Sequence, residues 1–154
     1  MSKQPNLLAH VRHYLINRGE EYQWVTMGES NERIGLAYLP LDTTGIPCTF
    51  MFTELYEPCR LVFDVHFATR VAREDMEELA LLLLTLNANL PEGQLELDTE
   101  GGFVYYRLIC EIDVDADTAE VADETVSKLI AHMEEVGVEI SRTYAQIINQ
   151  EFFL

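Results

Sequence analysis

The chain has 154 residues, enough for one domain to bury most of the surface its unfolded form exposes, and its 48% hydrophobic content separates it from chains that stay disordered. Its 10 Lys and Arg face 27 Asp and Glu, and the net charge of -17 repels phosphate backbones and anionic lipid, so neither nucleic acid nor membrane is an expected partner. A basic segment of another polypeptide, in contrast, is steered toward such a surface at low salt.

The opening Met1-Ser2-Lys3-Gln4-Pro5-Asn6 has no apolar stretch of the secretory kind, and a cytoplasmic location is expected. Asn6 is placed to cap a helix over Leu7–Arg18, in which Leu8, Val11 and Leu15 recur at helical spacing and Gly19 supplies the stop. From Tyr22 the period drops to two. The pattern predicts a strand around Tyr22–Met27, a turn at Gly28–Asn31 and a second strand over Arg33–Leu39, ended by Pro40.

Past Gly45 and Pro47, the segments Cys48–Leu55 and Cys59–Phe67 read as two strands joined by Tyr56-Glu57-Pro58. Cys48, Phe50 and Phe52 share one face of the first strand, and Leu61, Phe63, Val65 and Phe67 share one face of the second. Both sets are expected to point inward, because Asp64 and His66 take the other side.

A polar stretch from Thr69 to Asp75 leads into a second helix containing Met76, Leu79, Leu81, Leu82, Leu83, Leu84 and Leu86. Leu79, Leu82, Leu83 and Leu86 form one stripe, and Leu81 and Leu84 fall outside it. Burying one leucine is worth roughly 1.5–3 kcal/mol, so the two outliers call for a cover, either a second copy of the chain or the final helix. The whole near-apolar run, Leu79–Leu90, is interrupted by Thr85, Asn87 and Asn89 and is too short to span a bilayer.

Leu90-Pro91-Glu92-Gly93 stops that helix, Gln94–Asp98 alternates as a short strand, and a Glu100-Gly101-Gly102 turn opens a long strand over Phe103–Ile112. A last helix is expected with Asp117 or Thr118 as its cap. Its apolar stripe of Ala122, Val126, Leu129, Met133, Val136, Ile140, Tyr144, Ile147 and Ile148 runs to about Asn149, with Gly137 as an interruption marking a kink or a close contact. No repeat or low-complexity linker divides the chain, which reads as one domain over residues 1–154 with residues 1–5 and 150–154 as flexible ends. Strands gathered in runs predict an α+β fold: an antiparallel sheet with helices packed against it, in the order helix, three or four strands, helix, two strands, helix.

Few residue groupings suggest chemistry. His10 and His13 stand three apart on the first helix, but no further metal ligands follow nearby, and surface histidines are the better reading. A Cys48–His66 pair would need both side chains on one face, which the alternation opposes. Asp113, Asp115 and Asp117 superficially resemble a calcium loop, yet Thr118 stands where that loop needs Gly, and carboxylates before a helix explain them better. Cys48, Cys59 and Cys110 are odd in number and lack C-x-x-C spacing, as expected of small hydrophobes in a reducing compartment. No cofactor or metal is expected. A ligand pocket lined by Tyr38, Tyr105, Tyr106 and Arg107, in a sensor domain or an enzyme, is the alternative.

The segment Leu86-Asn87-Ala88-Asn89-Leu90-Pro91-Glu92-Gly93-Gln94-Leu95-Glu96-Leu97-Asp98, followed by Gly101-Gly102-Phe103-Val104-Tyr105-Tyr106-Arg107, resembles the YbjN-like family of bacterial proteins associated with sensory transduction. In that family the second helix ends in an Asn-rich turn before a short strand and a Gly-x-Val-x-Tyr/Leu-Arg strand. The element order also resembles the type III secretion chaperone-like fold, over about Leu7 to Ile148. The resemblance implies a small, often dimeric, non-catalytic domain, and secretion chaperones of this fold are similarly acidic and bind an extended polypeptide segment. The expected function is therefore a non-catalytic, protein-binding or regulatory module that forms a homodimer or engages another polypeptide through Leu79, Leu81, Leu82, Leu84 and Leu86.

Overall fold

Period-two segments joined by four-residue connections, as at Tyr56–Cys59 and Thr99–Gly102, favour neighbouring antiparallel strands, and six strands form one sheet. The computed structural model describes residues 6–26, 34–40, 47–115 and 120–152. Helix α1 (Leu7–Asn17) precedes strands β1 (Gln23–Thr26), β2 (Ile34–Tyr38), β3 (Cys48–Leu55) and β4 (Arg60–Arg70). A 3-10 turn (Arg73–Asp75) leads into α2 (Met76–Asn87), then β5 (Gln94–Asp98), β6 (Phe103–Glu111) and α3 (Asp123–Phe152). The antiparallel sheet has the order β1-β2-β3-β4-β6-β5. This is the α+β order expected from the sequence, with four strands in the first run. The expected turn at Gly28–Asn31 and the caps Asp117 and Thr118 lie outside the described residues.

The register sets the core. Phe52 faces Leu36 on one side and Phe63 on the other, and Phe63 faces Leu108 in turn. These side chains point toward the helices together with Cys48, Phe50, Leu61, Val65, Phe67, Val104 and Tyr106, all buried. The aromatic members interlock, with Phe63 edge-on to Phe50 at 5.2 Å and tilted against Phe52 at 5.1 Å. Ala37, Met51 and Val62 are also buried, but on the other face and outside this cluster.

Local chemistry closes the helix ends. The Asn6 side chain accepts from the Ala9 amide at 3.0 Å, and Glu54 of β3 accepts from the Leu8 amide at 3.2 Å, so two of the free N–H groups of α1 are satisfied. Strand β4 continues three residues beyond the expected end at Phe67. Its register shifts between His66 and Arg70, which lets Arg70 pair with Phe103. The apolar alternation ends at Phe67, whereas the backbone pairing does not.

Helix α3 departs from the expected stripe. Val126, Met133, Ile140 and Ile148 are buried as expected, but Ile130, Gly137, Ser141 and Ala145 are buried as well, and at Gly137 the helix backbone closes on the rings of Phe50 and Phe63. Leu129, Val136, Tyr144 and Ile147 are only half-buried flanks. Apolar periodicity gives weight to large side chains and so passes over Gly137, Ser141 and Ala145, which are buried although small. The Ser141 hydroxyl is satisfied inside the helix, donating to the Val138 carbonyl at 2.9 Å. The helix also runs three residues past Asn149, and Phe152 packs against the core.

The connection from α2 to β5 is built on two side chains. The Asn87 amide donates to the Leu95 carbonyl at 3.0 Å and accepts from the Leu95 amide at 2.7 Å, in the manner of an adjacent strand. Tyr106 donates to the Glu92 carbonyl at 2.9 Å and lies against Gly93, whose φ of 67° and lack of Cβ admit the ring. The Asn-rich turn thus caps the outer edge of β5 at Leu95.

Two stability outcomes follow. A Cβ on Gly137 would stand 2.7 Å from Phe63 Cζ and 2.8 Å from Phe50 Cζ, so Gly137→Val should lose about 1–3 kcal/mol in urea unfolding despite valine's better helix propensity. Asn87→Ala leaves both Leu95 groups unpaired and should cost roughly 1–3 kcal/mol, with faster hydrogen exchange at the Leu95 amide.

Candidate interaction surface

The leucine-rich helix α2 packs against β5 and touches α3 only at its margin. Leu79 is 0% and Leu83 4% exposed, and both belong to the core. Leu82 and Leu86 are half-buried against that core. Leu81 and Leu84 are 62% and 68% exposed. The final helix therefore does not cover them. The interface expected over five leucines is corrected in one respect: Leu79 is consumed by its own sheet and is inaccessible to a partner. What α2 offers outward is Leu81 and Leu84 with the small residues Ala80 and Ala88, behind the exposed Glu77 and Glu78 of its first turn.

The alternative pocket does not assemble. Tyr38 and Tyr106 point into the helix-covered face, and Tyr105 and Arg107 point to the opposite one, as successive residues of a strand must. Tyr38 donates to Glu134 of α3, which also accepts from Arg18, tying β2, α1 and α3 together. Burial, then the Glu134 charge, pushes the Tyr38 hydroxyl far above its ordinary pKa, so it remains a donor. Nothing in the spacing of Arg18, Tyr38 and Glu134 announces this cluster, because it joins three elements far apart in the chain.

Cys48 and His66 also lie on opposite faces: Thr49, not Cys48, stands across from His66. Burial pushes the Cys48 thiol up to about 12, the reverse of what a nucleophile needs. His10 meets Asp123 at 2.8 Å and His13 meets Asn17 at 3.1 Å, so the two imidazoles serve separate contacts. Among the described residues no group of three or more His, Cys, Asp or Glu side chains is placed to hold a metal ion.

The helix-free face of the sheet carries an ion pair that sequence reading missed. Arg107 Nε donates to Asp64 Oδ1 at 2.8 Å and Nη2 to Oδ2 at 3.2 Å, and the Asp64 side chain is 1% exposed. Arg107 also lies over the Tyr105 ring at 5.1 Å, and Tyr105 stacks on His66 at 5.5 Å. Opposite charges at facing positions of β4 and β6 are a recognisable signal once the strand order is known.

No family model matches the chain, and no curated protein matches it. Among solved structures it is similar to the crystal structure of YbjN, a candidate transcription regulator from E. coli, with a TM-score of 0.57 at 12% sequence identity, covering 100% of this chain and 99% of that one. The protein therefore has a YbjN-like fold. No helix among the described residues is long and apolar enough to cross a membrane.

His66 makes the sheet face sensitive to acid. Its ring is held below the ordinary imidazole pKa by burial, with Asp64 acting upward and Arg107 downward, and its Nε2 is buried without a hydrogen-bond partner. The unfolded chain takes up the proton near pH 6.5 and the native chain resists it, so this contribution is present above about pH 6.5 and is lost below it. Urea unfolding of wild type and His66→Gln should therefore diverge between roughly pH 7 and 5, the wild type losing more stability.

Proposed function

We propose that the protein is a non-catalytic regulatory module of the YbjN type that works by binding polypeptide and that self-associates through the outer face of α2. The observation that carries the reading is the pair Leu81 and Leu84, which stay 62% and 68% exposed after the fold has satisfied every other leucine of that helix at least in part. The split of the four expected pocket residues between two sheet faces, and the separation of Cys48 from His66, favour binding over catalysis. The YbjN-like fold agrees with a regulatory role, since the solved protein is described as a candidate transcription regulator.

Magnitudes set the strength of the dimer. Full burial of a leucine is worth roughly 1.5–3 kcal/mol, so the four exposed leucines of two copies contribute on the order of 4–8 kcal/mol, against an association cost of about 4–15 kcal/mol. The dimer is accordingly weak and depends on concentration. Light scattering coupled to sedimentation should show monomer at low and dimer at high concentration for the wild type. Leu81→Ser/Leu84→Ser should stay monomeric with an unchanged circular dichroism spectrum. A wild type that remains monomeric at high concentration overturns self-association.

A further inference from the structure

Beside the sheet edge at β5, helix α3 and the Leu90–Glu92 connection enclose a groove of about 530 Å³, within the ~300–1,000 Å³ of sites that enclose a ligand. Its floor is apolar: Tyr106 and Ile140 are buried, and Leu90, Val136 and Tyr144 are half-buried. Its rim is acidic. Glu135 and Glu139 stand one turn apart on α3, and Glu92 closes the far side, where His132 meets it at 2.5 Å. Among the described residues no Lys or Arg lines the groove, and neither Glu135 nor Glu139 forms an ion pair. Like charges at this spacing repel on a helix surface, so an incoming cation is favoured twice, by attraction and by relief of that repulsion.

We propose that this groove receives a basic, apolar segment of another polypeptide. Lys and Arg are matched to a site of this form, because their methylene stems bury against apolar surface while their charged heads stay at a polar rim. Here the stems lie along Val136, Ile140 and Tyr144, and the heads reach Glu135 and Glu139. An arginine gains further from the exposed part of the Tyr144 ring. A second copy of this chain, itself at -17, is repelled from the same rim. The site deepens the polypeptide-binding reading and is independent of self-association, since neither Leu81 nor Leu84 lines it.

The test is a nuclear magnetic resonance titration of the full chain with a short peptide alternating Lys and Leu, and with its Glu–Leu counterpart. The Lys–Leu peptide should bind saturably, shifting amides of Leu90–Glu92 and of the α3 turns around Glu135 and Glu139, and the Glu–Leu peptide should not bind. Glu135→Gln/Glu139→Gln should weaken binding about tenfold, whereas Glu77→Gln/Glu78→Gln, which removes the same charge from the exposed start of α2, should leave it unchanged. Leu81→Ser/Leu84→Ser should bind as wild type, which keeps the groove distinct from the dimer. Equal weakening in both charge variants, shifts spread over the surface, loss of binding in the leucine variant, or no saturable binding overturns the groove.

Discussion

The approach of α3 to the sheet is the constraint from which the rest follows. At Gly137 the helix backbone rests directly on the rings of Phe50 and Phe63, at the centre of six strands. A helix held this close brings Glu134, one turn earlier, within reach of both Tyr38 and Arg18, and so locks α1 beside it. Its other flank then stands opposite the turn at Leu90–Glu92, which gives the acidic groove its second wall. Close packing at one glycine therefore positions both the internal polar tie and the external cleft. Interiors packed to crystal density transmit such placement rather than absorbing it.

The sheet is used asymmetrically. All the clustered aromatic residues lie beneath the helices, while the opposite face holds Asp64 and Arg107 in a bidentate pair whose carboxylate is excluded from water. Desolvating a charge is expensive, and a pair of this kind offsets that cost only with good geometry. Its more evident effect is on register. A slip of one residue between β4 and β6 would turn Asp64 and Arg107 to opposite faces and leave a buried charge alone, so the pair resists misalignment of the two strands that make the broadest contact in the sheet.

Much of this was legible in the sequence. The alternation in Cys48–Leu55 and Leu61–Phe67 is broken by apolar Met51, Leu55 and Val62, and the faces it assigned are those observed, because a period of two leaves a side chain only two directions. The α2 stripe was equally clear: Leu81 and Leu84 lie outside it and are exposed. Legibility failed where small residues carry the contact. Gly137 and Ser141 show no hydrophobic signal and Ala145 only a small one, yet all three are buried while Val136 and Tyr144 are half-buried. It failed again for long-range polar ties such as Arg18–Glu134 and Asp64–Arg107, since their partners are fixed by strand order and helix placement rather than by local spacing.

The Asn87 side chain has a consequence for assembly. By occupying both backbone groups of Leu95 it closes part of the border that β5 presents at the end of the sheet, where a further strand would otherwise pair. Growth of a sheet into a fibril requires two such borders, one to donate and one to receive. A side chain that imitates a neighbouring strand thus works against such growth from the β5 side.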